Sequence, residues 1–323
     1  MIEMTIMDRY YLGIDTSAYT TSLSVVNQDG IIVFEDREIL KVPSGKRGLR
    51  QQEAVFQHVN NLPKLIKNLR KEIDVSKIVT VSASVKPRNN EESYMPVFKV
   101  SQGQAFILSK ILDVKYKEFS HQEGHIAAGL LGCNIAFRKD FLALHISGGT
   151  TELLYVRNDN QNYDINIIGG TKDISAGQLV DRIGVKLGLK FPCGKELDIL
   201  SQQGSRISDI LPISTNDSWI NFSGAETFFY KLIDNMYRPE DVARSAFYCI
   251  SLSLANIIKY TTSKFNIRDV LIIGGVAANS YVRDILNTEI CQKNVATIYF
   301  PPKEFCTDNA IGIAYLGRVN RGN

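Results

Sequence analysis

Two of the four histidines in the sequence, His121 and His125, are four residues apart and open the apolar segment 126–130. Residues at i and i+4 lie on the same face of a helix, so both imidazoles can reach one metal ion. Neutral imidazole binds Fe, Zn, Ni and Cu, so the spacing leaves the metal open. The spacing also fits histidines that cap a helix or lie on its surface, and both interpretations stay open at this point.

Glu123 distinguishes this pair from the zinc-binding helix of metalloproteases. In that helix the glutamate directly follows the first histidine. Here Gln122 takes that position and the glutamate comes one residue later. A shift of one residue turns a side chain by about 100° around the helix. The sequence therefore disfavours a protease.

Several turns of small residues follow apolar segments, where backbone can approach a phosphate or a flat ring closely. Gly274 and Gly275 directly follow the apolar run 270–273, and the segment 221–224 opens a helical pattern whose start could accept an anion. Asp308 precedes the apolar segment 310–316. It is either a helix cap or a carboxylate that points into a cleft.

One motif occurs twice, and an offset of 130 residues aligns Ser17 with Ser147 and Thr20 with Thr150. Each copy consists of an apolar strand, a turn of small polar residues and a second strand, which predicts a β-hairpin. A repeat of this length predicts two related lobes rather than a repeat array. Paired hairpins of this kind hold the nucleotide phosphates in the actin-like fold. Two unrelated hairpins in one α/β protein are the alternative.

The remaining periodicities predict alternating helices and strands. Helices are predicted over 53–70, 103–112, 176–187 and 241–265, and strands over 78–85 and 270–273. We therefore predict an α/β protein with the two-lobed actin-like ATPase fold (ASKHA, a ribonuclease H-like duplication). The predicted first lobe covers 1–118 and regains 300–323. The predicted second lobe covers 119–299 and holds the metal and nucleotide motifs.

The composition is that of a folded protein, with 44% hydrophobic and 22% charged residues over 323 positions. Five scattered cysteines without a CxxC pair predict reduced thiols. We find no leader signature and no apolar run near the ~18 residues of a membrane helix, so we expect a cytoplasmic protein. The net charge of +3 does not by itself indicate nucleic acid. A basic cluster could contact phosphates or form a solvated loop; it comprises Lys41, Lys46, Arg47 and Arg50.

Between residues 121 and 316 the chain carries, in order, HQEGH, HISGGTTEL, DISAGQLVDRIGVKLGLKFPCG, NFSGAET, GGVAANS and CTDNA. With these motifs it resembles the tRNA threonylcarbamoyladenosine synthase family, formerly called O-sialoglycoprotein endopeptidases. The resemblance implies transfer of a threonylcarbamoyl group from its adenylate to the exocyclic amine of an adenosine in tRNA. It implies tRNA and an adenylate-forming enzyme as partners, and pairing with a paralogue or a second copy.

The resemblance also implies a set of site residues. A divalent ion, Fe or Zn, would be held by His121, His125 and Asp308, with His145 as a fourth ligand where one branch of the family has tyrosine. The ion would polarise a carbonyl or orient an acyl phosphate. Contacts to ATP or threonylcarbamoyl-adenylate would fall on Ser147, Gly148, Gly149, Asp181, Gly194, Gly274, Gly275 and Asn279.

The first predicted lobe departs from the family pattern. Ala18, Tyr19, Thr20 and Thr21 stand where relatives have a Cys, Asp, Glu, Thr turn, and the segment 86–104 replaces a glycine-rich GPG stretch. Thr150 stands where histidine or asparagine is common, and a GGVVPE-like stretch is reduced to 45–53. Two other functions therefore stay open. One is a non-catalytic, nucleotide-binding regulatory paralogue, which the missing acidic turn favours, and the other is a sugar-kinase-like ATPase.

Overall fold

The computed structural model describes residues 8–43, 48–90, 92–135, 139–159, 162–207 and 211–319. Lys46 and Arg47 of the predicted basic cluster, and the start of the stretch 45–53, lie outside the described residues. The strands are β1 (Tyr10–Thr16), β2 (Thr20–Asn27), β3 (Ile32–Ile39), β4 (Ile78–Lys86), β5 (Lys115–Ser120), β6 (Phe141–Ile146), β7 (Thr151–Asp159), β8 (Asn162–Thr171), β9 (Thr215–Asn216), β10 (Trp219–Ile220), β11 (Asp269–Ile273) and β12 (Thr297–Tyr299). The α-helices are α1 (Gln51–Glu72), α2 (Phe98–Ile111), α3 (His121–Gly132), α4 (Ala176–Lys186), α5 (Gly194–Ser201), α6 (Ser223–Asp234), α7 (Pro239–Phe265), α8 (Ser280–Leu286), α9 (Lys303–Cys306) and α10 (Ile311–Val319).

The predicted helices and strands are present, with small shifts at their ends. The helix predicted over 241–265 begins two residues earlier, because Pro239 fits the first helical turn, where no backbone N–H is needed. The helix predicted over 103–112 begins at Phe98 instead. Its first turn is fixed by tertiary contacts: the Thr16 hydroxyl donates to the carbonyl of Val97 at 2.8 Å, and its oxygen accepts from the backbone N–H of Ser101 at 3.1 Å.

The chain divides into two compact units. Unit 1 consists of Met1–Asn134, Asn160–Tyr163 and Asp308–Asn323, and unit 2 of Ile135–Asp159 and Asp164–Thr307. The predicted lobe boundary at 118/119 differs from this division, because α3 packs on α10 and therefore belongs to unit 1. The histidine pair thus lies in unit 1 and not with the nucleotide motifs, and the chain enters unit 2 after Asn134.

The two units share one sheet pattern, which supports the duplication predicted from the repeat. Unit 1 has the strand order β3-β2-β1-β4-β5, and unit 2 contains the corresponding series β8-β7-β6-β11-β12, extended by β10 and β9. The hairpins pair in equivalent registers: Tyr11 faces Val26 across β1 and β2, and Phe141 faces Val156 across β6 and β7. In both sheets the first strand also pairs with a parallel neighbour.

The sheet of unit 1 is covered on both faces. On one face α1 and α2 bury an apolar core that includes Leu12, Ile14 and Leu62. On the other face α10 packs on β1, β2 and β4 and also on α3. A Cβ added at Gly312 of α10 would lie 1.8 Å from the carbonyl oxygen of Gly124 in α3. Glycine is therefore required where these two helices cross.

In unit 2, Asp173 occupies the start of α6, where the sequence suggested an anion site. Its carboxylate accepts hydrogen bonds from the backbone N–H groups of Phe222 and Ser223 at 2.8 and 2.9 Å, and from the Ser223 hydroxyl. Partial burial disfavours the charged carboxylate, but these hydrogen bonds outweigh it and lower the pKa of Asp173 to about 2. The protein itself thus supplies the anion at this helix end.

Replacing Asp173 with alanine is expected to destabilise unit 2 by about 1 kcal/mol, as for the loss of a helix cap. Because the folded carboxyl has a pKa below its ordinary value near 3.9, the loss is fully present above about pH 4. It shrinks as the pH falls towards 2, where the wild-type carboxylate also becomes protonated. Urea unfolding of both proteins between pH 2.5 and 6 measures it, and the points below about pH 4 are the most informative, because only there is the difference expected to change with pH. A pH-independent difference would contradict the expected role.

The five cysteines all lie within the described residues and form no disulfide, which agrees with the predicted reduced thiols. Among the described helices, none combines the length and the apolar character needed to cross a lipid bilayer.

Candidate metal centre

The N-terminus of α3 carries the histidine pair, and a capping box fixes where the helix begins. Ser120 accepts from the backbone N–H of Glu123, and the Glu123 carboxylate accepts from the backbone N–H of Ser120 at 2.7 Å. The same carboxylate also accepts from the Ser120 hydroxyl. Glu123 therefore serves as a helix cap, which is consistent with the sequence argument against a protease.

His121, His125 and Asp308, the three ligands that the family resemblance implied, lie close together. The Nε2 atoms of the two imidazoles are 3.0 Å apart, and they lie 3.6 and 3.3 Å from Oδ1 of Asp308. The three residues belong to unit 1, and their ligand atoms all lie within 4.8 Å of one another. Side-chain exposure rises from 4% at His125 to 17% at His121 and 27% at Asp308, so solvent can reach this group.

The spacing of these atoms fits a small divalent ion. Bonds of about 2.1 Å at tetrahedral angles separate neighbouring ligand atoms by about 3.4 Å, and the three separations observed here are 3.0, 3.3 and 3.6 Å. The donor set of two imidazole nitrogens and one carboxylate oxygen suits Fe or Zn. The residues therefore fit the metal that the sequence implied.

Asp15, the second-last residue of β1, orients His121. The sequence analysis did not identify it. Asp15 is fully buried, and its Oδ1 lies 2.9 Å from Nδ1 of His121. Its Oδ2 is buried without a hydrogen-bond partner among the described residues. A carboxylate that holds Nδ1–H of a histidine leaves Nε2 free as a ligand and increases its basicity. A buried carboxylate ending an apolar strand beside the small-residue turn was the signal that could have found it.

Ser17 orients Asp308. The Ser17 hydroxyl donates to Oδ2 of Asp308 at 2.7 Å, and Arg37 donates to the Asp308 backbone carbonyl at 3.2 Å. The contact with Ser17 leaves Oδ1 of Asp308 beside the two histidines. Asp308 is therefore not the cap of α10. Near the start of α10 it is the side-chain oxygen of Asn309 that accepts from a backbone N–H, that of Ile311, at 3.0 Å.

His121 and Asp308 each shift the pKa of the other. Burial disfavours the imidazolium of His121, but the Asp15 and Asp308 carboxylates outweigh that effect and raise the pKa of His121 to about 10. Burial also opposes ionisation of Asp308, yet hydrogen bonds and charge from His121 and His125 hold the pKa of that carboxyl well below its usual range. The carboxylates of Asp15 and Asp308 therefore favour a positive charge among the ligand atoms of His121, His125 and Asp308.

His145, the predicted fourth ligand, lies in unit 2 on β6. It is buried, and it pairs across the sheet with Glu152 of β7 and with Ile273 of β11. The three groups that the structure gathers all belong to unit 1. A ligand role for His145 stays a prediction.

The predicted nucleotide residues lie in unit 2, and several of them meet at the ends of β6 and β11. The turn after β6 is closed by a hydrogen bond from the backbone N–H of Ser147 to the carbonyl of Thr150, at 2.8 Å. Gly148 and Gly149 border open space, since a Cβ on either would meet no atom within 4 Å. At the end of β11, Gly274 has φ +99° and its Cβ position lies 2.4 Å from the carbonyl oxygen of Ile146, so only glycine fits there.

The other predicted nucleotide residues form a second group around α4, α5 and α8. Asp181 accepts from the backbone N–H of Cys193 at 2.8 Å, directly before Gly194 at the start of α5. Asn279 caps α8 by accepting from the backbone N–H of Val282 at 2.8 Å. Burial raises the pKa of Asp198 on α5, and the charge of Lys303 partly opposes that shift.

Solved structures establish the fold class. The activator of 2-hydroxyisocaproyl-CoA dehydratase from Clostridium difficile, with bound ADPNP, covers 96% of this chain and 94% of its own at a TM-score of 0.53 and 17% identity. A ROK family glucokinase from Streptomyces griseus, in complex with glucose and AMPPNP, covers 96% and 99% at a TM-score of 0.54 and 11% identity. The chain therefore has the actin-like ATPase fold (ASKHA), as predicted, with two mixed α/β units.

Within that fold class, sequence relatives define the family. A protein of Thermotoga neapolitana named tRNA N6-adenosine threonylcarbamoyltransferase is 30% identical over 320 residues, covering 96% of this chain and 94% of that protein. A probable bifunctional tRNA threonylcarbamoyladenosine biosynthesis protein of Methanocaldococcus jannaschii is 31% identical over 313 residues, and this chain spans 55% of its length. The family model for tRNA N6-adenosine threonylcarbamoyltransferases matches residues 38–315, and the chain belongs to that family.

Proposed function

We propose that this chain transfers a threonylcarbamoyl group to adenosine in tRNA, with a divalent ion held by His121, His125 and Asp308. The observation that carries the proposal is the convergence of these three ligand atoms, with Asp15 behind them, in a member of this family. When bound, the ion supplies Lewis-acid polarisation of a carbonyl or acyl phosphate oxygen. Asp15 keeps the His121 ring in one orientation, and Ser17 does the same for the Asp308 carboxylate.

The proposed reaction joins the exocyclic amine of adenosine to the threonylcarbamoyl carbon. A C–N bond forms, the bond from that carbon to the adenylate phosphate oxygen breaks, AMP leaves with the electron pair, and the amine nitrogen loses a proton. We propose that the adenylate or ATP contacts the turn of Ser147, Gly148 and Gly149. The other proposed contacts are Asp181, Gly194, Gly274, Gly275 and Asn279. Open space beside Gly148 and Gly149 supports a phosphate position there.

The test of this function is transfer of labelled threonine and bicarbonate to tRNA, with the adenylate-forming partner enzyme supplied. Labelled tRNA is the expected result. No label on tRNA, together with nucleotide binding, would favour the regulatory paralogue, for which the non-acidic turn Ala18–Tyr19–Thr20 argues. Phosphate transfer from ATP to a sugar would favour the kinase-like alternative. The expected cytoplasmic location, and the pairing with a paralogue or second copy, stay predictions.

Metal content tests the proposed ligands individually. His121→Ala protein is expected to retain less than about a tenth of the wild-type metal after gel filtration, since even outer-shell partners contribute 10–100-fold to affinity. His145→Ala protein is expected to lose metal as well if the fourth ligand is correctly predicted. Elemental analysis of purified proteins measures both. Wild-type metal content in both variants would refute the ligand set.

A further inference from the structure

His58 is a fully buried histidine in the middle of α1 that belongs to no motif described above. It lies against the turn between β1 and β2. Its Nε2 is 2.9 Å from the carbonyl oxygen of Ser17, and its Nδ1 is 2.8 Å from the hydroxyl oxygen of Thr21. The side chain thus contacts both ends of the turn that carries Ser17.

The partners of His58 determine which form of the ring is present. A carbonyl oxygen only accepts, so Nε2 of His58 must donate its proton to Ser17. Nδ1 then accepts from the Thr21 hydroxyl, and Thr21 in turn accepts from the Asn61 amide at 3.3 Å. Burial lowers the pKa of His58, in agreement with a neutral ring. Both ring nitrogens are therefore satisfied in one fixed orientation.

Ser17 connects this histidine to the metal ligands. Its backbone N–H donates to the Thr20 carbonyl at 3.0 Å and closes the turn, while its hydroxyl donates to Oδ2 of Asp308 at 2.7 Å. Loss of the His58 donor would leave the buried carbonyl of Ser17 without a partner, which is costly enough to make the turn shift. A shift of Ser17 would release the Asp308 carboxylate from its fixed orientation.

We propose that His58 is a positioning residue of the metal centre: through the Ser17 carbonyl it holds the turn whose hydroxyl orients Asp308 toward His121 and His125. The inference rests on the proposed metal site, and it adds to that site a residue that contacts neither the ion nor a ligand directly. Asp308 is the ligand, Ser17 orients it, and His58 fixes Ser17. Outer-shell groups of this kind commonly change metal affinity by about 10–100-fold.

Cobalt titration of the metal-free, full-length protein tests the proposal, because the visible spectrum of bound Co²⁺ reports its ligand set. His58→Leu and His58→Asn both remove the donor to Ser17, and each is expected to weaken Co²⁺ binding by about 10–100-fold and to alter the spectrum. His58→Gln can place its amide nitrogen near the position of Nε2. It is therefore expected to have the wild-type spectrum and a Co²⁺ affinity within about threefold of wild type. That loss would be much smaller than the loss of about 10–100-fold expected for an outer-shell group.

Leu62→Ala is the matched control. Leu62 is buried on the same face of α1, one turn beyond His58, and packs in the apolar core. This variant is expected to lower the melting temperature while leaving the Co²⁺ affinity and spectrum unchanged. If the His58 variants also lose only thermal stability, His58 is purely structural and the proposal is overturned. Absence of Co²⁺ binding by wild-type protein would instead overturn the metal site itself, and His58 would then have no ligand to position.

Discussion

Asp308→Asn protein is expected to lose more than about 100-fold in metal affinity, exceeding the effect of an outer-shell change, and to lose tRNA threonylcarbamoylation in proportion. The substitution keeps the shape of the side chain and can keep a hydrogen bond with Ser17. It removes the negative charge beside His121 and His125, to which Oδ1 of Asp308 is 3.6 and 3.3 Å distant. Asp308→Asn therefore tests the charge of the side chain and not its shape.

Elemental analysis and the transfer assay measure the effect of Asp308→Asn. Asp234→Asn is a suitable control, since Asp234 forms a surface ion pair with Lys186 at 2.6 Å in unit 2 and its side chain is 61% exposed. This control is expected to retain metal and activity. Full metal content in Asp308→Asn protein would show that the carboxylate is not a ligand.

Gly312→Ala is expected to destabilise unit 1 by about 3 kcal/mol or more, at the upper end of the cost of overpacking. The added methyl group would lie 1.8 Å from the carbonyl oxygen of Gly124 and 2.8 Å from the backbone nitrogen of Ala128. Both are backbone atoms of α3, so no side-chain rotation can relieve the overlap. The two helices must separate, and the histidines at the start of α3 would move away from Asp308 just before α10.

Urea unfolding, followed together with metal content, checks the expected effect of Gly312→Ala. Gly103→Ala provides the comparison: Gly103 lies in α2, and a Cβ there would meet no atom within 4 Å. That substitution is expected to stabilise the protein by about 0.4–1 kcal/mol, because alanine reduces the freedom of the unfolded chain. Equal effects of the two substitutions would contradict the requirement for glycine at the helix crossing.

Local patterns predicted much of the fold. The repeat at an offset of 130 residues is matched by two hairpins in the same register. Of the apolar residues whose spacing predicted α1, Leu62, Leu65 and Leu69 are buried, whereas Val59 is exposed. These features depend on residues near one another in sequence, where periodicity is informative. The lobe boundary was less accurate, because the assignment of α3 depends on its packing against a distant helix.

The candidate metal centre was only partly predictable. Resemblance to the family supplied His121, His125 and Asp308, and the structure brings them together. Asp15 was missed because an isolated aspartate in an apolar strand has no spacing pattern. The contact of Asp173 with the start of α6 was missed because it joins segments far apart in sequence. Such contacts follow from the tertiary fold, which local periodicity does not contain.

All of unit 2 lies between the histidine pair and Asp308 in the sequence. During synthesis on the ribosome, β1 to β5 and α3 therefore emerge long before α10, which covers one face of their sheet. A nascent chain at that stage exposes the surface that α10 later covers, and it has both imidazoles without the carboxylate. We expect incomplete chains to be candidates for chaperone binding and to capture the ion weakly, so metal loading should follow completion of α10.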